Sequence, residues 1–246
     1  MTEQTDETEA EPAMEALPEA IQKSPHLPWI LIFCGFFLAS LALWIFAEIA
    51  DDMFGPKVMA FDKSAIDYIH SFNALLFRQF MLLMTETGSV GWITSFSLLT
   101  VFWLWRYKKD HLSIIFFIIT VAGGGLLNYL LKLFFHRARP SIDATIDAVG
   151  FSFPSGHSMG SMIFYGFIGY LVIRSKRNRI TKTVLTIMLL IFIFLIGLSR
   201  IYLNAHYPSD VIAGFSAGLV WLLLTISALR AIKWQAKKKD KSQQAA

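Results

Sequence analysis

Cysteine is almost missing from this chain. Of 246 residues only Cys34 carries a thiol, so no disulfide can close within the chain. Cys34 sits inside an apolar run and reads as packing. Charge is sparse too: charged residues make up 16% of the sequence, against roughly a quarter in soluble globular domains. A basic region ahead of the first apolar run is also lacking. Residues 1–25 are polar, acidic and short of aromatics, so they read as a disordered cytoplasmic segment and not as a cleavable signal peptide.

What fills the chain is apolar. Hydrophobic residues account for 55% of it, 22 of them phenylalanine, and the mean hydropathy is +0.52. These values exclude an ordinary soluble globule and predict an all-α polytopic membrane protein. A helix needs about 20 mostly apolar residues to cross the hydrocarbon core. Six segments meet that length, at residues 28–50, 88–105, 112–135, 156–174, 182–203 and 207–229, the second being the shortest. They define a six-span domain over 26–230, followed by a flexible basic cytoplasmic tail at 231–246.

Basic residues orient the spans. Arg106, Lys108 and Lys109 follow the second; Arg174, Lys176, Arg177, Arg179 and Lys182 lie between the fourth and fifth; Arg230, Lys233, Lys237, Lys238, Lys239 and Lys241 follow the sixth. The positive-inside rule makes all three regions cytoplasmic, and both termini with them. The net charge of +4 is therefore a sign of topology, with anionic lipid as a partner and no role for nucleic acid. No obligate protein partner is evident.

On the opposite side, residues 51–87 place Asp67, Ser71 and Arg78 on one helical face and Ile66, Ile69, Phe72, Leu76 and Phe80 on another. That pattern predicts an amphipathic helix lying in the interface, with His70 solvated or at headgroup level. Two further outer loops carry basic residues that topology does not explain, KLFFHRARPSIDATIDAVGFSFPSGH and SRIYLNAHYPSD. Ionisable groups at membrane depth are functional candidates when they can pair or face a water-filled cavity.

Lys132 and Arg139 are seven residues apart, two helical turns, and so share a face at the end of the third span. Pro154 turns the chain out of helix just before Ser155, a strong N-cap, and Gly156 and His157 begin the fourth span. The free N–H groups of that first turn favour an anion. Arg200 ends the fifth span; His206 and Asp210 straddle the start of the sixth at i, i+4, with Pro208 between them. Two arginines, a lysine and a helix N-terminus suit a phosphate dianion. Two histidines, one with a carboxylate in reach, suit an attacking base and a proton donor.

Lys132-x6-Arg139-Pro140, Pro154-Ser155-Gly156-His157 and Ser199-Arg200-x5-His206-x3-Asp210 together resemble the three-part signature of the type 2 phosphatidic acid phosphatase (PAP2) superfamily, in the family's order and spacing. The resemblance covers roughly residues 128–215, and the six-span layout is similar to the bacterial lipid phosphatases acting on phosphatidylglycerol phosphate and undecaprenyl pyrophosphate. It implies that His206 is a nucleophile forming a phosphohistidine, that Asp210 supports its other nitrogen, and that His157 protonates the leaving group and then activates water. Lys132, Arg139, Ser155, Gly156 and Arg200 would hold the phosphate oxygens. The substrate would be a lipid phosphate or pyrophosphate within the bilayer, phosphatidic acid included. The layout also implies a bacterial cell membrane, with the site on its extracytoplasmic side.

No cofactor or metal is implied, because three cations cover the charge that Mg²⁺ neutralises elsewhere. Asp143 with Asp147, and Asp51 with Asp52, read as solvated loop charges. His136 and Arg137 occupy positions the signature leaves free and read as headgroup contacts at most. Gly123, Gly124, Gly125, Gly214 and Gly218 would let helices approach closely; Asn128 and Tyr129 either line the cavity or pack. Two alternatives keep the layout: a phosphotransferase using the same site with another acceptor, and a non-enzymatic six-span protein. So apolar a chain argues against a haloperoxidase, a soluble protein that shares this type of site.

Overall fold

The structure is a computed structural model that describes residues 27–72, 74–140 and 150–244, with side chains described between 33 and 236. The acidic segment 1–25, Asp143 and Asp147 lie outside the described residues. All regular structure among the described residues is helical: α1 (Leu27–Asp52), α2 (Pro56–His70), α3 (Leu75–Glu86), α4 (Val90–Trp103, continued by a π-helical turn Leu104–Lys108), α5 (His111–Phe135), α6 (Gly156–Ile173), α7 (Arg179–Tyr202) and α8 (Pro208–Gln244). The chain divides into two units, Met1–Leu41, which contributes the opening turns of α1, and Ala42–Ala246, which holds the remaining helices and the candidate site.

Local chemistry sets the helix starts. Ser89, Asp110, Ser155 and Asn178 each accept a hydrogen bond from a backbone N–H three residues on, capping α4, α5, α6 and α7. Pro56 opens α2 and Pro208 opens α8, where a missing N–H costs nothing. The expectation of a flexible basic tail is corrected: α8 continues to Gln244. Its Ala, Lys and Gln are good helix formers and no Gly or Pro interrupts them.

Among the described residues, five helices are long and apolar enough to cross a membrane: α1 from Phe33, α5, α6, α7, and α8 as far as Ala236. The second expected span qualifies only when α4 is joined to α3, from which it is bent by 52°, so the described residues offer five candidate spans, or six with that broken pair. The break falls at Thr87–Gly88–Ser89, where Ser89 caps α4 and Tyr165 of α6 donates to the Thr87 carbonyl at 2.8 Å.

The stretch expected to form one interfacial helix is two, α2 ending at His70 and α3 starting at Leu75. The apolar face of α3 finds a partner within the protein: Met81 and Phe77 pack with Tyr202 and Leu203 at the end of α7. His70 is half-buried with its ring against Tyr202, and not simply solvated.

α6 is the buried centre of the bundle. Phe164, Tyr165 and Phe167 pack with Phe117 of α5, Ile193 and Ile196 of α7, and Leu222 and Leu229 of α8. Two expected glycine contacts fix the α6–α8 distance. A Cβ on Gly214 would lie 2.6 Å from the Ser155 carbonyl, and one on Gly218 would lie 2.9 Å from that of Met159. Larger residues would therefore push α8 away from the first turn of α6. Around the outside, Trp44, Leu126, Phe134 and Phe194 are exposed, as suits helices that face lipid.

Candidate active site

α5, α6 and α7 each deliver one cluster to the same end of the bundle. α5 ends at Phe135, so Lys132 and Arg139 do not share a helical face as expected: His136 caps the helix, its N–H reaching the Lys132 carbonyl at 3.2 Å, and its left-handed backbone (φ 50) turns the chain toward Arg139. Lys132 in the last turn donates from Nζ to the Phe151 carbonyl at 2.5 Å. Arg139 donates from Nε to the Gly150 carbonyl at 2.9 Å and from Nη1 to the Ala205 carbonyl at 2.8 Å. The segment before α6 and the loop before α8 are thus held together through one guanidinium.

That guanidinium also reports on His206. Arg139 Nη1 lies 3.1 Å from His206 Nε2. Arginine can only donate, so Nε2 presents its lone pair and the ring proton belongs on Nδ1. Nδ1 lies 3.3 Å from Ser152 Oγ and 3.6 Å from Asp210 Oδ2. Ser152 in turn donates a short hydrogen bond to Asp210 Oδ2, which also accepts from the Tyr207 N–H at 3.0 Å. Histidine and carboxylate lie close but beyond hydrogen-bond distance, with a serine hydroxyl within reach of both that the spacing did not reveal. Burial pushes the His206 imidazole down to about 3, against the opposing pull of Asp210. The ring stays neutral at physiological pH.

Arg200 comes from the last turn of α7 and is 2% exposed. Its Nη1 donates a short hydrogen bond to Thr85 of α3, while its Nε has no hydrogen-bond partner among the described residues. A buried, incompletely satisfied guanidinium is costly unless an anion completes it. Thr85 is a second residue the sequence did not flag. It is brought in by the helix pair bent at Gly88, where a Cβ would stand 3.2 Å from His157 Cδ2.

One cavity of about 750 Å³ unites the cluster: Lys132, Arg139, Gly156, His157, Arg200 and His206 line it at one end. Asn128 lines it too, its Nδ2 donating to the Pro154 carbonyl at 3.4 Å, whereas Tyr129 is 58% exposed and faces away. From the polar end the cavity continues between Ile93, Leu98 and Val101 of α4 and Phe117, Ile118 and Val121 of α5. Ser155 and Asp210 are fully buried and stand behind this lining. The Ser155 oxygen accepts from the Ser158 N–H at 3.4 Å and the Ser158 hydroxyl at 3.0 Å, and the Ser155 N–H donates to the Asp210 carbonyl at 3.0 Å. Ser155 thus shapes the helix start, and Gly156 and His157 present it to the cavity.

Arg137 corrects an expectation. It is no headgroup contact: it is 4% exposed and bonded to Asp210 and Asp62. Its partners lie more than seventy residues away on either side in sequence, so local spacing had no means of showing them.

A sequence profile of the PAP2 superfamily matches residues 112–234. Phosphatidylglycerophosphatase B of Bacillus subtilis is 36% identical over 104 residues, covering 40% of this chain. That match spans about half of the relative's length, 49%. Undecaprenyl-diphosphatase BcrC of the same organism is 27% identical over 161 residues, 63% of this chain and 76% of that protein. A solved structure, the transmembrane PAP2-type phosphatidylglycerolphosphate phosphatase from Bacillus subtilis, has the same fold, with a TM-score of 0.74 at 24% identity over 80% of this chain and 98% of that one.

Proposed function

The chain belongs to the PAP2 superfamily and is a multi-pass membrane protein; from that premise we propose that it is a lipid phosphatase, removing a terminal phosphate from a lipid phosphate or pyrophosphate at the extracytoplasmic face, with both termini in the cytoplasm. The observation that carries this reading is the continuity of one cavity. Its polar end gathers three cations and two histidines, and its other end is apolar and lies between α4 and α5. A headgroup phosphate with an acyl or isoprenyl chain has that same division.

In this reading the phosphoryl oxygens sit among Lys132, Arg139, Arg200 and the first N–H groups of α6. The His206 Nε2 lone pair forms the N–P bond while the P–O bond to the leaving group breaks, and His157 gives that oxygen its proton. Water then attacks phosphorus, His157 takes the water proton, and the N–P electron pair returns to Nε2. Asp210 supports the positive charge that the ring carries in between.

The relatives' names suggest which substrates to offer: phosphatidylglycerol phosphate and undecaprenyl pyrophosphate, with phosphatidic acid alongside. The test is inorganic phosphate release by detergent-purified protein in excess EDTA, with His206→Ala as control. Release by wild type alone supports the reading. Release only after Mg²⁺ is restored overturns the metal-independent chemistry, and release only when an alcohol or sugar acceptor is added makes the protein a phosphotransferase.

A further inference from the structure

Behind Asp210 lies a second buried ion pair that the reaction above does not use. Arg137 Nη1 donates to Asp210 Oδ1 at 2.6 Å and to Ser209 Oγ at 2.8 Å. Its Nη2 donates to Asp62 Oδ2 at 2.9 Å and to the Met53 carbonyl at 3.0 Å. Asp62 also accepts from the Ser209 N–H at 2.8 Å and the Ser209 hydroxyl at 2.7 Å. The guanidinium lies over the Tyr207 ring, 4.3 Å from its centre. Arg137, Asp62 and Asp210 are 4%, 2% and 0% exposed, so water screens none of these charges.

The order of charges matters. A buried guanidinium facing Asp210 alone would neutralise it and weaken its hold on a positively charged His206 ring. Asp62 on the far side of the same fork takes up the arginine's charge and leaves Asp210 its own. The fork also fixes the carboxylate: Oδ1 is committed to Arg137, which turns Oδ2 toward Ser152 and His206. Asp62 is the buried residue of α2, so a helix of the outer loop reaches into the site through this contact.

We infer that Arg137 and Asp62 are positioning residues for the reaction: the chain Asp62–Arg137–Asp210 sets the orientation and charge of the carboxylate that supports His206. This rests on the phosphatase reading above. It predicts an effect on turnover and none on phosphate recognition, because neither residue lines the cavity that holds the three cations.

The test uses the full chain in detergent, with the lipid that wild type hydrolyses, and reads kcat, KM and competitive inhibition by inorganic phosphate. Asp62→Asn should lower kcat about tenfold and Arg137→Gln about a hundredfold, the range for residues that orient a reacting ligand. KM and the phosphate inhibition constant should stay within about twofold, since only charge developed in the transition state is affected. Arg137→Lys should recover part of the Arg137→Gln loss. Because Arg137→Gln strands a buried carboxylate and endangers folding, the double variant Asp62→Asn/Arg137→Gln serves as the folded comparison. Its kcat should equal that of Arg137→Gln and fall short of the product of the two losses. Variants that melt earlier but turn over at the wild-type rate, or that lose phosphate affinity with kcat intact, would overturn the inference. If wild type releases no phosphate from any lipid, the phosphatase reading itself fails, and the inference with it.

Discussion

α5 and α8 run between two polar clusters of different construction. At one end Asp110, the N-cap of α5, accepts from Lys233 Nζ of α8 at 2.5 Å, and both side chains remain about a third exposed. At the other end, Lys132, Arg139 and Arg200 line one cavity, and the nearby carboxylates Asp210 and Asp62 are bound to a fourth cation, Arg137. A wet, balanced pair fastens two helices and does little more. Buried positive charge gathered around a cavity is expensive in a membrane protein and marks a place where an anion binds. The contrast assigns chemistry to one end and fastening to the other, and substitutions at each end should separate the two.

The largest effect belongs to the proposed nucleophile. His206→Ala should lower phosphate release by about 10⁴-fold or more, since the proposed N–P bond forms at its Nε2. Rapid acid-free quenching should lose the phosphoprotein signal with it. Residual activity within a hundredfold of wild type would point to direct attack by water and away from a covalent intermediate.

Next comes the buried cation. Arg200→Lys keeps the charge but loses the fork that reaches Thr85 and the cavity together, so kcat/KM should fall about a hundredfold. Thr85→Val, which removes only the oxygen holding Nη1, should cost about tenfold. Equal losses in the two variants would mean that the guanidinium is a structural tie to α3 and not a phosphate ligand.

How much of this was readable beforehand depends on range. Lys132, Arg139, His157, Arg200 and His206 declare themselves because basic residues and histidines cluster at the ends of apolar spans next to Pro140, Pro154 and Pro208, although α5 ends at Phe135 and the seven-residue spacing of Lys132 and Arg139 is not a helical one. Ser152, Thr85, Arg137 and Asp62 act across contacts between elements far apart in sequence. Periodicity says which face a residue takes; it does not say what packs over that face. One hint was available for Arg137, a further buried-length arginine beside Arg139 where topology had already made basic residues anomalous. The broken α3–α4 pair escaped for a related reason: its bend is stabilised by Tyr165, some eighty residues on.

A smaller effect should appear in stability against pH. Burial lowers the His206 pKa to about 3, from 6.5 for an ordinary imidazole. When the folded pKa lies below the unfolded one, the unfolded chain binds a proton first as pH falls. The stabilisation is complete above pH 6.5 and drains away between 6.5 and about 3. The melting temperature of wild type should therefore drop more steeply over that window than that of His206→Asn. Parallel curves would mean that the ring takes up its proton at the same pH in the folded and unfolded chain, and that burial does not hold it neutral.

The smallest effect lies at the far end. Burial by itself would raise the Asp110 pKa, but hydrogen bonds from Lys233 and Ser113 outweigh it and hold the carboxyl below its ordinary 3.8. For a lowered carboxylate the stabilisation exists above the unfolded value and is lost as pH falls through the folded one. Lys233→Met should cost under about 1 kcal/mol at neutral pH, as exposed pairs do, or about 3 °C in melting. The difference from wild type should vanish below pH 3.8, where Asp110 is protonated in the unfolded chain and then in the folded one. Phosphate release at the opposite end of α5 should not change. If Lys233→Met slowed turnover as much as Thr85→Val, the two clusters would be coupled along α5 and α8, and the division between fastening and chemistry would have to be abandoned.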